Sequence, residues 1–307
     1  MPLANQALVG ANNKVIVSFT TVSSRINYIE PMVNSILNQT VQPDSFELYI
    51  SDHPSLFKNG FDQGIPSDKI PQFLLDLSAQ GKLQIKYVPN IGPANKLIPA
   101  LLENRYTNNV IITVDDDHIY PDYLISLLLH NYHKHNHKYP VALIGTKPNI
   151  RRGILLPSRS WHFIKRKDKF SNAFIHGVGG ALYKSSFFHT QIFNTSKLLN
   201  LSAKNDDIWF HFMRLAKNIP VLIIPRPFPT PLWTLPQDTE RLIYSNVYKQ
   251  QNDIFIRNVS QFMNANLSKK KKNKLKNKLK KLREKSSNKI NKFLVMKRKL
   301  KLKRKTP

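Results

Sequence analysis

VIITVDDDHIYP, Val110 to Pro121, joins an apolar run to three consecutive aspartates, Asp115, Asp116 and Asp117. The run reads as a buried strand, and the carboxylates stand where it ends. Adjacent carboxylates repel one another, and burying them unpaired raises their pKa values and costs stability. A divalent cation offsets that repulsion, and hard oxygen ligands suit Mg²⁺ or Mn²⁺. On an extended backbone residues i and i+2 point the same way. Asp115 and Asp117 are therefore expected to converge, with Asp116 pointing elsewhere. The bland alternative is a helix cap ahead of Pro121, but a cap needs one Asp rather than three.

Outward from this stretch, strands alternate with helices. KVIVSF (Lys14–Phe19), FELYIS (Phe46–Ser51), LQIKYV (Leu83–Val88), NVIITV (Asn109–Val114) and VALIG (Val141–Gly145) read as strands. Helical patterns cover Ile29–Leu37, residues 68–80, Asn95–Glu103 and Tyr123–Tyr132. That order predicts an α/β fold with a mostly parallel sheet and helices on both faces. In such sheets ligands sit beyond the carboxyl ends of the strands. Asp52 follows the second strand, so it should share one rim with the aspartate triplet. Residues 146–172 read as loop, Asn205–Asn218 as a helix with an Asn/Asp cap, and PVLIIP as a strand. A proline-rich crossing precedes a helical region from about Asp238 to Phe262.

Three further groups carry chemistry. Asp206 and Asp207 open the NDDIWFHF helix, either as caps or as the carboxylates of acid/base work. NIGPANK (Asn90–Lys96) is a turn opening a helix, an arrangement that favours anions. HGVGGALY (His176–Tyr183) is rich in glycine, which lets backbone approach a ligand or simply turn tightly. HNYHKHNHK (His130–Lys138) holds four histidines but no metal-binding frame, and reads as a solvated helix end.

The chain has 307 residues and a net charge of +28, yet residues 269–307 carry 20 Lys+Arg and one acid, and so +19 of it. Leu275, Leu279 and Leu282, then Ile290, Phe293 and Leu294, mark an apolar stripe along this tail. A basic amphipathic helix suits an anionic membrane surface, with each basic residue contributing about 1 kcal/mol before screening. Nucleic acid is the competing polyanion and the less economical one, because the body is only moderately basic. Cysteine is absent, no apolar run is long enough to span a bilayer, and the first residues lack a secretory pattern. A cytoplasmic protein held peripherally on the inner membrane face is expected.

In their order along residues 14–225, these pieces resemble a glycosyltransferase of the GT-A fold, close to the family-2-like bacterial enzymes of surface polysaccharide synthesis. They are VIVSFTTVSSR, the strand before Asp52, N-x-G-x-x-N-K, the aspartate triplet as a DXD motif, GVGGALY, and DDIW in place of the family's acidic pair. The resemblance implies a nucleotide-sugar donor, most readily a UDP-sugar, and a glycan or lipid-linked acceptor. Thr20, Thr21 and Arg25 would line the nucleotide pocket, and Asp52 would meet the base or ribose. Asn90, Gly92 and Lys96 would border the nucleoside and diphosphate. Asp115 would face the ribose side, Asp117 would ligate Mn²⁺ or Mg²⁺ with Asp115 as a second ligand, and Asp116 would support them. Gly177, Gly179 and Gly180 would shape the sugar and acceptor pocket, with Trp209 near the acceptor or in the core. Asp207, or else Asp206, would be the general base of an inverting transfer. TTVSSR replaces the family's P-x-Y-N turn, Asp-Asp replaces its Glu-Asp, and QxxRW is missing, which argues against a processive synthase. The implied layout is a catalytic domain over 1–235 (nucleotide half 14–118, acceptor half 119–235), a helical extension over 236–268 and the basic tail. A metal-dependent nuclease and a non-catalytic carbohydrate-binding relative are the competing readings.

Overall fold

VIVSF and VIIT each bury every side chain, and they lie side by side at the centre of the fold. Strands enclosed on both faces read as unbroken apolar runs rather than alternations. The computed structural model describes residues 9, 13–57, 60, 62–151, 154–165, 168–225 and 251–266. Its strands are β1 Val15–Phe19, β2 Ser45–Ile50, β3 Gln84–Tyr87, β4 Val110–Thr113, β5 Val141–Ala142, β6 Gly145–Lys147 and β7 Ile150–Arg151. They continue with β8 Ile154–Leu155, β9 His162–Phe163, β10 Asp168–Ser171, β11 Phe174–Ile175, β12 Ala181–Tyr183 and β13 Val221–Ile223.

Eight of these form one sheet in the order β10-β13-β5-β12-β4-β1-β2-β3. β3, β2, β1 and β4 run parallel, β12 enters antiparallel between β4 and β5, β13 runs parallel to β5, and β10 closes the edge antiparallel. The fold is thus a mixed, mostly parallel α/β sheet, continuous across the two halves inferred from the sequence. The carboxyl ends of β2 and β4 lie on one edge, so Asp52 and the triplet share a rim as expected.

Helices form where the apolar spacing foretold. Glu30–Leu37 starts with Pro31 and buries Met32, Val33 and Ile36. Leu124–Lys134 buries Leu124, Ile125, Leu128, Leu129 and Tyr132, one helical stripe. Gln39 ties these two helices together: its Nε2 donates to the Pro121 carbonyl at 2.6 Å and its Oε1 accepts from the Ile125 N–H at 3.0 Å.

Two expectations change. VALIG is not one strand: β5 stops at Ala142, and Gly145 opens β6, which joins β11 and β9 in a separate antiparallel sheet. Ile223 of β13 packs against the Gly145 backbone, where a Cβ would come within 2.7 Å of Ile223 Cδ1, so the chain crosses there only as glycine. Residues 146–172 are not merely loop. They hold strands of two to four residues, too short to show the period-two alternation that reveals a strand. Thr195–Ser202 is a helix the sequence reading passed over, capped by Asn194, which accepts from the Lys197 N–H at 3.2 Å.

The final described helix, Gln251–Asn266, packs on Thr195–Ser202 and Asp206–Ala216 through Ile256, Val259 and Met263. The proline-rich crossing beyond Pro225, the first part of the expected Asp238–Phe262 helix and the basic tail lie outside the described residues. Among the described residues no helix is long and apolar enough to cross a membrane.

Candidate functional site

After Thr113 the chain leaves the sheet and turns at Asp116–Asp117. The period-two alternation ends with the strand, and the three carboxylates separate differently from the expectation. Asp116 and Asp117, not Asp115 and Asp117, share a partner. Arg25 places Nη2 3.1 Å from Asp116 Oδ1 and Nη1 3.7 Å from Asp117 Oδ2. The Thr21 hydroxyl donates to Asp116 Oδ2 at 2.6 Å, and His118 Nδ1 lies 2.7 Å from Asp117 Oδ1. Asp115 turns the other way, to Lys96. Its backbone N–H donates to the Tyr120 hydroxyl at 2.9 Å, and that hydroxyl donates to the Val178 carbonyl at 3.0 Å, tying the triplet to the GVGG turn.

Lys96 is the hub. Its buried Nζ sits 2.8 Å from Asp115 Oδ1 and 3.1 Å from Asp206 Oδ2. Ser18 of β1 donates to its carbonyl at 2.6 Å, which fixes the Gly92–Lys96 3₁₀ turn on the sheet. Burial alone pulls an ammonium's pKa down, but Asp115, Asp206 and Asp207 hold this one well above the ordinary lysine value.

The Asp206–Ala216 helix supplies the facing wall. Asn205 is its cap, accepting from the Ile208 N–H at 3.2 Å. Neither aspartate is needed for capping, and both are free for other work. Asp206 takes Lys96. Asp207 Oδ2 accepts from the Gly177 N–H at 3.0 Å. Gly177 sits so close that a Cβ would come within 3.0 Å of both Asp207 Oδ1 and Lys96 Nζ, which is why glycine occupies the position.

Burial sets the protonation of these acids. It pushes Asp207 up to about 7, with Lys96 opposing and Asp206 and Asp115 adding to the rise. It pushes Asp116 up to about 6 despite Arg25, and it raises Asp206 despite Lys96. Asp117 goes the other way: burial lifts its carboxyl, but the His118 hydrogen bond and then Arg25 bring it below its ordinary value.

The remaining residues divide into rim and scaffold. Thr20 donates to the Tyr49 carbonyl at 2.7 Å, holding β1 to β2. Asp52 is open, its side chain 55% exposed and 3.1 Å from His53 Nδ1. Asn90 is buried, and its Nδ2 donates to Asp62 Oδ2 at 2.7 Å and to the His53 carbonyl at 3.0 Å. Gly92 has φ +70°, with Phe57 against its α-carbon. Gly179 packs on Ile144, and Gly180, at φ +82°, on Leu124, so both serve the turn's shape. Of its two readings, Trp209 takes the core one: it is fully buried, donates to the Ile192 carbonyl at 3.1 Å and stacks on Phe262 at 5.9 Å. Two positions past Asp207, it lies around the helix from the site.

Asp62 went unnoticed in the sequence. One oxygen accepts from the Ser23 N–H and hydroxyl, both at 3.0 Å, and from the Gly64 N–H at 3.3 Å, while the other takes Asn90. It binds the loop after β1 to the loop after β3. Its only local signal was Asp-x-Gly, an Asx-turn pattern.

Among the described residues no three His, Asp or Glu side chains converge as a metal cage. The donor set still fits a hard cation shared with a ligand's phosphate oxygens, the usual arrangement for Mg²⁺, which needs only one or two carboxylates. Five carboxylates meet two permanent cations, Lys96 and Arg25, so the cluster carries an excess of acidic groups. Arg25 Nε is also buried without a hydrogen-bond partner among the described residues.

No family model matches the chain, and no curated protein does. Among solved structures it is similar to S. aureus TarS 1–349 in complex with UDP-GlcNAc, with 15% identity over 84% of this chain and 69% of that one and a TM-score of 0.47. It is similar to 4-diphosphocytidyl-2C-methyl-D-erythritol synthase from Anaerococcus prevotii, with 12% identity over 80% of this chain and 99% of that one and a TM-score of 0.45. The Francisella tularensis 2-C-methyl-D-erythritol 4-phosphate cytidylyltransferase gives 15% identity over 77% and 99%, with a TM-score of 0.38.

Proposed function

We propose that this chain is a glycosyltransferase that moves a sugar from a nucleoside-diphosphate sugar, a UDP-sugar, to a hydroxyl of a glycan or lipid-linked acceptor with inversion. One observation carries the reading. A carboxyl held near neutrality, Asp207, and a carboxylate cluster at the end of a central parallel strand stand on either side of one buried ammonium, Lys96. A general base works best with a pKa close to the operating pH, and Asp207 fits that role better than Asp206, whose oxygen is committed to Lys96. The acceptor hydroxyl forms a bond to the anomeric carbon, its proton passes to Asp207, and the nucleoside diphosphate leaves with the electrons of the broken C–O bond.

The Gly177 N–H orients Asp207 for this task. Thr21 and Asp116 hold Arg25 over the donor side, where its unpaired Nε suits an anionic ligand. Asp117 is assigned to Mn²⁺ or Mg²⁺, which when bound would neutralise charge on the diphosphate, while Asp115, turned to Lys96, is not paired with it there. Asp52, on the open rim, is assigned to the base or ribose. Residues 269–307 are assigned to an anionic membrane surface on the cytoplasmic side, which places the enzyme beside lipid-carried acceptors of surface polysaccharide or lipopolysaccharide synthesis. The 1–235 catalytic unit with its 236–268 extension is proposed as one working body.

Incubation of the purified protein with Mn²⁺ and a panel of nucleotide sugars tests this. Hydrolysis of one donor, and a rise in melting temperature with its nucleotide, are expected. Asp117→Ala should lose both the metal dependence of turnover and the metal-dependent part of the thermal shift. Neither hydrolysis nor shift with any donor would refute the reading.

A further inference from the structure

The small sheet β9-β6-β11 carries one aromatic ring left open on the surface. Phe163, at the end of edge strand β9, keeps 62% of its surface exposed. The register sets Phe163 opposite Thr146 and Thr146 opposite Phe174, so the three side chains leave the sheet on one face. His176, two residues beyond Phe174, joins them. Its ring centre is 5.5 Å from Phe163 and 5.0 Å from Phe174, and its Nε2 is 3.0 Å from Thr146 Oγ1. Burial lowers the His176 pKa to about 4, which keeps this ring neutral at physiological pH. Phe163 is thus backed on one side by a fixed aromatic neighbour and free on the other. That neighbour directly precedes Gly177, whose N–H holds Asp207.

We propose that the open face of Phe163 is the stacking platform for a pyranose ring of the acceptor. The proposal rests on the glycosyl-transfer reading of the Asp207 site. A saturated sugar ring offers apolar C–H groups on its faces and hydroxyls around its rim, and it matches an aromatic ring in size. Arg159, His162 and Lys165 around Phe163 are exposed and polar. Among the described residues next to it in sequence, then, no broad apolar face of the kind an amphipathic helix or an acyl chain needs surrounds Phe163. The platform's backing ring, His176, directly precedes Gly177, whose N–H holds Asp207, and this links the platform to the base through the chain.

Saturation-transfer NMR on the full chain tests the platform, with methyl β-D-glucopyranoside, methyl β-D-galactopyranoside and N-acetylglucosamine as probes and acyclic ribitol as the control. At least one pyranoside should show transfer to its ring C–H protons, and ribitol should show none. Phe163→Ala and Phe163→Leu should weaken binding about tenfold, the order of an aromatic contact plus its buried area. Phe163→Tyr should keep it. Circular dichroism melting of each variant separates loss of the platform from loss of the fold. Transfer to ribitol equal to that of the pyranosides, no transfer to any pyranoside, or full transfer in folded Phe163→Leu overturns the proposal. The thermal shift of the wild type with UDP and Mn²⁺ is read alongside. A UDP shift without sugar transfer sinks the platform alone, and sugar transfer confined to Phe163 without any UDP response sinks the donor reading instead.

Discussion

Asp116 is buried and Asp207 half-buried, and burial raises both, yet their surroundings differ in kind. Asp116 has a guanidinium at 3.1 Å and a hydroxyl at 2.6 Å, so both its oxygens are committed. Asp207 has one backbone N–H at 3.0 Å and no direct cation. The first arrangement makes a strut, which holds Arg25 and the loop after β1 against the turn after β4. The second leaves a carboxyl that can gain and lose a proton without dismantling its neighbours. The Asp116 side of the cluster pairs its carboxylate directly with a cation, and the Asp207 side does not. On the proposed glycosyl-transfer reading, that asymmetry is the reason the base is sought on the Asp206–Ala216 helix.

The largest effect that could break the comparison is on turnover. Asp207→Asn should lower transfer by about 10² to 10⁴-fold, the usual range for a lost general base, and should abolish the acid limb of the pH–rate profile near pH 7. Asp206→Asn should leave that limb in place. If Asp206→Asn alone removed it, the two roles would be exchanged. Next comes stability. Lys96→Met leaves buried Asp206 and half-buried Asp115 without their cation, so unfolding in urea should show a loss of about 3–5 kcal/mol, with Arg25 still holding Asp116.

The pH dependence sharpens the same contrast. Asp116, at about 6, and Asp207, at about 7, bind protons more tightly folded than unfolded. The folded state therefore gains from protonation. The contribution of these two acids is fully present below about pH 4 and is lost as pH rises through 7. His176, lowered to about 4, and His211, lowered well below its ordinary value, contribute stability that grows over the same window, so the acids are read from a variant's difference and not from the total. Asp117, lowered instead, contributes stability lost only at pH values below this window. Asp207→Asn should gain melting temperature relative to the wild type as pH rises from 5 to 7.5, and no such gain would contradict the assignment. The smallest effect belongs to Trp209. Trp209→Phe removes one buried donor to the Ile192 carbonyl, costing about 1–2 kcal/mol of stability, with kcat unchanged.

The centre of the fold was legible in the sequence because its strands are enclosed on both faces and so are apolar throughout. VIVSF and VIIT could scarcely read otherwise. The rim position of the aspartates followed from the same runs. Which aspartate does what was not legible, because the answer lies in long-range partners. Arg25 reaches Asp116 across 91 residues, and Lys96 reaches Asp206 across 110. The alternation that suggested a joint Asp115–Asp117 site fails for a local reason, since the strand ends at Thr113. Asn205 could be seen as a possible cap, but only the 3.2 Å bond to Ile208 frees the two aspartates after it. Asp62 was hidden because its partners Ser23 and Asn90 come from other segments. The two-residue strands around Trp161 were hidden because nothing that short has a period.

The Gln251–Asn266 helix bears on where the polypeptide can be cut. Its Val259 and Met263 cover the back of the Asp206–Ala216 helix, Phe262 lies on Trp209, and Asn252 accepts from Asn205, the residue that caps the site helix, at 2.8 Å. A shortened protein ending before Gln251 would expose that apolar back and loosen the cap beside Asp207. One ending after Asn266 keeps both, and takes nineteen net positive charges with the removed tail.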